Sequence, residues 1–460
     1  MPEEPKPYSK EDLVRAIQQV AREAAPDTEK PPYFLSLLRQ HFGREPRELP
    51  SVQEQFAGWE HPTIHLALKK CLERAEDGVK LHGIGTAHRG ELLTLTDLLK
   101  TQWPPEPVPV EYRNIPLGDE VLTCVQRALF LCRLNGEPFA VVLDGPGRFT
   151  PAANVSVAGV DQAACETFLA DLRRTMRGLS VHRGKVLSVS CNDSGIEVHV
   201  QHLPAVEREQ IILPSGLLDR IERQTVQFSA HADRLRAVGQ HLKRGILLYG
   251  PPGTGKTFSA MYLASRMKGR TVILITGAAM GLIEDACKLA RALQPSTLIL
   301  EDVDLVAEER TSQETGTNAV LFQLLNQMDG LGDDADILFL LTTNRPDVLE
   351  PALASRPGRI DMAIEVPLPD AECRRRLIQL YAKGLKLELD GWEAVVKRTD
   401  GVSAAFIREL VRKSALAAAD EGEDLTLRDR HVDQALHELL IHGGGLTRSL
   451  LGAAGPSATS

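Results

Sequence analysis

The sequence predicts an α/β fold, a parallel sheet covered by helices with a helical lid after it and an α+β region before it. Three observations carry that prediction. From about Leu213 short apolar runs (GILLYG, TVILIT, TLILED, ILFLLTTN) alternate with helical stretches, the grammar of strands joined by crossover helices. A glycine-rich turn, GPPGTGKT, lies directly between a strand and a helix. After Pro369 the strands give way to runs with helical spacing: AECRRRLIQLYAKGL, WEAVVKRT, AAFIRELVRKSALAAAD and RHVDQALHELLIH.

At 460 residues the chain exceeds what one hydrophobic core serves, so two or three domains are expected. Residues 1–8, rich in Pro and Glu, read as a disordered start. Residues 9–103 read as mostly helical: Ser9 and Asp12 form a capping-box pattern before EDLVRAIQQVAREAA, and helical spacing continues through FLSLLRQHF, TIHLALKKCLERA and ELLTLTDLLK. The proline-dense TQWPPEPVPVEYRNIP breaks that pattern and joins the first part to residues 108–205. This second part reads as α+β. It has a helix (EVLTCVQRALFLCRL), a strand (FAVVL), a helix (QAACETFLADLRRTM), and a hairpin in which VLSVS and IEVHV flank CNDSG. The parallel-sheet domain is assigned residues 210–367, the helical lid 368–442, and a flexible Gly/Ser-rich tail 443–460.

Composition narrows the function classes. No apolar run approaches the ~18–20 residues that span a bilayer, and MPEEPKPYSK lacks the basic flank and apolar stretch of a secretory signal. The expectation is a cytoplasmic protein without membrane insertion. Seven scattered cysteines, with no C-x-x-C pair, read as buried free thiols. A formal net charge of −9 argues against nucleic acid as the partner. Arg173, Arg174 and Arg177, then Arg183 and Lys185, lack interleaved aromatics and read as a solvated helix face and its neighbour. His61 and His65 are spaced four apart, but without a third ligand they read as a helix start and a half-buried imidazole.

The chemistry is concentrated in the second half. GILLYGPPGTGKT satisfies G-x-x-x-x-G-K-[ST] in the strand–loop–helix context that pattern requires. Gly250, Gly253 and Gly255 leave room for backbone N–H groups to wrap phosphates, and the helix N-terminus adds its dipole. Pro251, Pro252, Thr254 and Phe258 complete the loop and its exit. Lys256 is placed for the β- and γ-phosphates of ATP and Thr257 for magnesium. TLILED, ~45 residues on, would bring Glu301 and Asp302 beside that loop, and Asn344 at the end of ILFLLTTN could orient a water. Arg356 and Arg359 flank a Pro-Gly turn well past the strand end, a position that suits a neighbouring subunit's γ-phosphate.

GPPGTGKT, LILEDVD, TTN, PALASRPGRID and TDGVSAAFIREL together resemble the AAA module of AAA+ ATPases, in the classical clade that includes protein-remodelling machines. The likeness covers roughly residues 210–442. It implies a ring homo-oligomer, usually a hexamer, with ATP and Mg2+ bound between subunits and a protein substrate or adaptor met by the N-terminal region. By position it makes Lys256 and Thr257 the phosphate and magnesium residues, Asn344 the first sensor, and Arg356 and Arg359 the trans-acting arginine fingers. Such fingers are worth roughly 10³–10⁵ in rate in related systems. Gly401 to Ala405, Ala404 among them, would lie near adenine and ribose.

The chain departs from that family mainly at two sites. Glu301 stands where the family has the aspartate that holds magnesium, and Asp302 where it has the glutamate that polarises the attacking water. Aspartate is one methylene short, and a misplacement of about 1 Å costs on the order of 10²-fold, so a competent but slow site is expected. The loop after TVILIT offers Ala279, Met280 and Gly281 where threading relatives place an aromatic residue, so Met280 is either an adaptable substrate contact or a helix-start contact. PALASRPGR also holds one more residue than the usual spacing, which leaves the ranking of the two arginines open. The reading is an AAA ATPase that remodels or assembles a protein partner. The alternative is an ATP-gated scaffold with slow hydrolysis and no threading.

Overall fold

The computed structural model describes residues 31–85, 92–147, 150–192, 195–203, 205–304, 319–332, 334–347, 360–422 and 425–439. The chain divides into two compact units, residues 1–181 with 191–197 and residues 182–190 with 198–460. The capping-box helix expected from Ser9, the glycine-rich tail, and Arg356 and Arg359 lie outside the described residues.

The first unit is built on one antiparallel sheet. Its strands are β1 (Ser51–Ala57), β2 (Lys80–Ile84), β3 (Pro107–Val108), β4 (Glu111–Leu117), β5 (Glu120–Leu134), β6 (Glu137–Asp144) and β7 (Ala152–Ala158). They run in the order β1-β7-β6-β5-β2-β3, with β4 also paired to β5. Both faces are covered. Ala128, Phe130 and Cys132 of β5 pack with Ile64 and Leu68 of α1 (His61–Leu72) and with Phe168 and Leu172 of α2 (Gln162–Gly178). The alternate residues Leu129 and Leu131 pack with Phe34, Leu38 and the turn Leu95–Leu99.

That arrangement corrects three expectations. EVLTCVQRALFLCRL is the long strand β5, not a helix. A strand buried on both faces is apolar at consecutive positions, so its period-2 signature vanishes. ELLTLTDLLK forms only a short 3-10 turn, because its backbone is claimed elsewhere. Leu93 N–H donates to Asp144 Oδ2 at 2.7 Å, Asn154 donates to Leu93 O at 2.9 Å, and Leu95 N–H donates to Ser156 Oγ at 3.2 Å. The break between residues 103 and 108 divides nothing, since β1 and β2 share the sheet with β5, β6 and β7. The prolines that suggested a linker, Pro107 and Pro116, lie on strands of few partners, where a missing N–H is tolerated.

The two helix-spaced histidines act on one residue of β5. His61 Nε2 donates to Val125 O at 2.8 Å, and Val125 N–H donates to His65 Nδ1 at 3.3 Å. Arg173 and Arg174 are exposed and paired with Glu54 and Asp171. Six cysteines are buried and Cys191 is exposed, and none of the seven is in a disulfide.

The second unit carries a sheet in the order β14-β10-β13-β12-β11-β8-β9. Its strands are β8 (Val186–Asn192), β9 (Gly195–Gln201), β10 (Arg244–Tyr249), β11 (Thr271–Ile275), β12 (Ser296–Leu300), β13 (Ile337–Thr343) and β14 (Met362–Glu365). Strands β8 and β10 to β14 pair in parallel. The expected hairpin of VLSVS and IEVHV is present as β8 and β9, but it extends this sheet through Val186↔Val272 and does not belong to the sheet of the first unit. Helices α3 (Lys256–Arg266) and α4 (Ile283–Ala292) are crossovers, and a further helix, α5, runs from Ala319 to Asp329. At the N-terminal ends of the strands Arg270 is buried against Asp336 at 2.5 Å and also donates to Ser296 O and Thr297 Oγ1, which ties β11, β12 and β13 together.

The lid is helical, with α6 (Ala371–Tyr381), α7 (Trp392–Arg398), α8 (Ala404–Glu421) and α9 (Asp429–His437) around one core, and it adds a two-stranded parallel pair, Lys386–Glu388 with Thr426–Arg428. Three-residue strands are too short to show a period. Asp370 and Ser403 cap α6 and α8 by accepting from Cys373 N–H at 2.8 Å and Phe406 N–H at 3.2 Å. No helix among the described residues is long and apolar enough to cross a membrane.

Two stability predictions follow from these buried polar groups. Arg270→Ala leaves the buried Asp336 with only the half-exposed Arg236, at 3.0 Å, as a charge partner and is expected to cost about 3 kcal/mol, read from urea unfolding. Burial holds His61 down at about 4 from an ordinary 6.5, so the unfolded chain takes up this proton first. The His61 contribution is therefore complete above pH ~6.5 and lost as pH falls toward ~4, on the order of 3 kcal/mol in all. His61→Gln should flatten that part of the pH profile of unfolding.

Candidate functional site

The parallel register brings the predicted site residues to one edge of the second sheet. Tyr249 pairs with Thr343, and Leu300 with Leu341, so β10, β12 and β13 end at nearly the same level. The glycine loop leaves β10, Glu301 and Asp302 leave β12, and Asn344 leaves β13 between them.

The loop residues 250–255 turn sharply because three glycines adopt positive φ: Gly250 at 145°, Gly253 at 74° and Gly255 at 98°. A side chain would fill this cradle. A Cβ on Gly250 would stand 2.3 Å from Val366 O, and one on Gly253 would stand 2.9 Å from Ser403 Oγ and from Ala405 Cβ. Lys256, only 5% exposed, donates from Nζ to Gly250 O and Pro251 O, each at 2.8 Å. Thr254 Oγ1 donates to Pro251 O at 3.0 Å. Burial pushes the Lys256 ammonium down to about 8, with Asp302 and then Asp304 opposing. Pro252, Thr257 and Phe258 are exposed, Phe258 at 43%. The first-turn N–H groups of α3 have no intrahelical acceptors and face the same loop.

The two carboxylates are held differently. Asp302 has φ 49°, in the left-handed region, and its N–H donates to Thr342 Oγ1 at 3.0 Å. Asn344 Nδ2 donates to Asp302 Oδ1 at 3.1 Å. Burial first, and Asp304 second, hold the Asp302 carboxyl above its usual range, against Lys256 and Asn344. Glu301 N–H donates to Ile275 O at 3.1 Å, while its buried Oε1 has no protein partner. Burial and the Asp302 charge hold Glu301 above its usual range as well.

The lid closes on the loop. Ala405 N–H donates to Gly253 O at 3.1 Å, next to Ala404 at the start of α8, and Gly401 turns at φ 71° just before it. The turn after β11, by contrast, buries its largest side chain. Met280 is 1% exposed within the 3-10 turn Gly277–Leu282, a helix-start contact that faces the core. Sequence reasoning missed Thr342 and Thr343 as partners of the acidic segment. The signal was a pair of hydroxyl residues ending an otherwise apolar strand.

These residues fit a nucleoside triphosphate with a divalent cation. The cradle admits backbone alone, a buried ammonium stands at its base, and a buried carboxylate oxygen lacks a donor. Among the described residues no group of three or more His, Cys, Asp or Glu is placed to hold a metal by itself. A cation here would share Thr257 and Glu301 with phosphate oxygens.

Comparison with known proteins agrees with that chemistry. A family model described as "ATPase family associated with various cellular activities (AAA)" matches residues 246–368. The proteasome-activating nucleotidase of Methanothermobacter thermautotrophicus is 32% identical over 250 residues, 50% of this chain and 60% of that protein. The 26S proteasome regulatory subunit S10B homolog B of Arabidopsis thaliana is 34% identical over 231 residues, 46% of this chain and 57% of its own length. The proteasome-activating nucleotidase of Pyrococcus abyssi is 30% identical over 288 residues, 60% of this chain and 67% of that protein. The chain thus spans about 60% of the first of these relatives. An archaeal nucleotidase matched over two thirds of its length, and a family model centred on the site just described, make this chain a member of the AAA ATPase family, in its classical clade.

Proposed function

We propose that this protein hydrolyses ATP with Mg2+ at the interfaces of a ring, a homohexamer by family resemblance, and uses the cycle to remodel or assemble a protein partner recognised by its N-terminal unit. The observation that carries the reading is the hydrogen bond from Asn344 Nδ2 to Asp302 Oδ1 at 3.1 Å, beside the buried Lys256. It supports Asp302, and not Glu301, as the residue that meets the attacking water.

In this reading Lys256 exchanges its two loop carbonyls for phosphate oxygens, and the loop N–H groups take the remainder. Thr257 and Glu301 would hold magnesium, which when bound would neutralise developing charge on the phosphoryl oxygens. Asn344 occupies Asp302 Oδ1, which leaves Oδ2 to accept the proton of the water. A carboxyl held above its usual range is the better base for that transfer. Gly401 and Ala404 line the nucleotide from the lid, and Arg356 and Arg359 complete the site of the neighbouring subunit. Cytoplasmic residence accords with the composition.

One observation favours the second reading, an ATP-gated scaffold. With Met280 buried, the turn after β11 offers no bulky exposed side chain to grip an extended polypeptide. Partner-stimulated hydrolysis accompanied by ATP-dependent change in that partner is expected for the remodelling reading. A scaffold would change its oligomeric state with nucleotide and leave the partner unaltered.

Lys256→Ala is expected to abolish ATP binding, measured with a fluorescent analogue, and unchanged affinity would refute the phosphate role. Asp302→Asn should bind ATP normally and lose about 10²-fold or more in kcat. A pull-down with that variant in ATP should retain partners on a stalled ring. Subunits carrying Arg356→Ala or Arg359→Ala, mixed with Asp302→Asn subunits, should recover part of the activity at mixed interfaces. No recovery with either arginine variant would count against trans action.

A further inference from the structure

We propose that Asp304 is a positioning residue for hydrolysis, fixing the backbone from which Asn344 holds Asp302. The proposal rests on the reading that this site turns over ATP. Asp304 is 5% exposed, although a carboxylate is seldom buried without a charge partner. Among the described residues no Lys, Arg or His lies within 4 Å of it. Its Oδ1 instead accepts from Thr343 Oγ1 at 2.8 Å and from Asn344 N–H at 3.2 Å. Thr343 Oγ1 accepts in turn from Arg345 N–H at 3.0 Å, so the last residue of β13 and the two that follow it are linked to one carboxylate oxygen.

The bonds close a circuit. Asp304 holds the main chain of Asn344, the Asn344 side chain holds Asp302 Oδ1, and Asp302 is joined to Asp304 through Val303. The far side is sewn by Asp302 N–H to Thr342 Oγ1 and by Val303 N–H to Thr342 O, both at 3.0 Å. Asn344 therefore bridges two like-charged groups with neutral donors, its main-chain N–H toward one and its amide toward the other. Hydrogen bonds to a charged acceptor are roughly twice as strong as neutral ones.

The circuit has a consequence for the short base. A glutamate could compensate a shifted backbone by rotating an extra bond, but Asp302 has no such freedom. Its carboxylate goes where the backbone and Asn344 put it, and a displacement of about 1 Å costs on the order of 10²-fold in rate.

The test is steady-state ATP hydrolysis by the full chain, with nucleotide affinity measured separately by a fluorescent ADP analogue as the control for folding. Asp304→Ala is expected to lower kcat by about 10²-fold with KM and ADP affinity within about threefold of the unsubstituted protein. Asp304→Asn keeps an acceptor oxygen and should recover most of that loss. Thr343→Val, which removes the hydroxyl while preserving shape, should lower kcat in the same way, and it serves if Asp304→Ala does not fold. An Asp304→Ala protein with unchanged kcat overturns the proposal, as does an Asp304→Asn protein as slow as Asp304→Ala. Asp302→Asn is assayed alongside. If it too turns over at the unsubstituted rate, the hydrolytic reading has failed, and the role of Asp304 falls with it.

Discussion

The parallel register of β10, β13 and β12 is the constraint on which the site depends. These strands are almost wholly buried, so charged and hydrogen-bonding side chains are excluded from most of their length and collect where they end. Because Tyr249 is level with Thr343 and Leu300 with Leu341, the three exits coincide. The loop with Lys256, the amide of Asn344 and the carboxylates of Glu301 and Asp302 then meet at one edge without any of those elements being long. Arg270 and Asp336 lock the opposite ends of β11, β12 and β13, which keeps the register from slipping. A one-residue slip would turn each strand's side chains to the other face and separate the exits.

The lid makes the site a property of the whole second unit. Gly253 is packed so closely against Ser403 and Ala405 that a methyl group there would collide with the start of α8. The same contact carries the bond from Ala405 N–H to Gly253 O. Ser403 thus has two tasks, capping a helix and flooring the phosphate loop. A change in the loop on binding phosphate has a direct mechanical route into the lid through this contact.

Much of this was legible in the sequence, for a physical reason. GPPGTGKT, LED and TTN mark places where a buried strand meets solvent, and those transitions are written in a few adjacent residues. What was not legible was pairing across distance. Nothing local in VLSVS says that Val186 will pair with Val272, and nothing in β5 separates a strand covered on both faces from a buried helix. The turn at Leu95–Leu99 kept helical spacing, but Asp144, Asn154 and Ser156 had already taken its leading backbone groups, a competition invisible from residues 91–100 alone. The partners of Asp304 are equally illegible from its neighbours, because its donors, Thr343 and Asn344, lie some forty residues away.

The Glu-Asp order at residues 301 and 302 divides the work between a long arm and a rigid one. Glu301 keeps its extra methylene and a buried oxygen without a protein donor, which in the proposed reading would be left for a cation. Asp302 gives up reach, and the backbone supplies it. A left-handed conformation in a residue other than glycine costs roughly 1–2 kcal/mol. Each hydrogen bond that fixes it returns about 0.5–1.5 kcal/mol. Asp302 N–H, Val303 N–H and the Asn344 amide contribute three such bonds, enough to offset the strain before any nucleotide is present. The Asp302 carboxylate is therefore already held in place by Thr342 and Asn344 at the end of β13, and binding need not create that geometry.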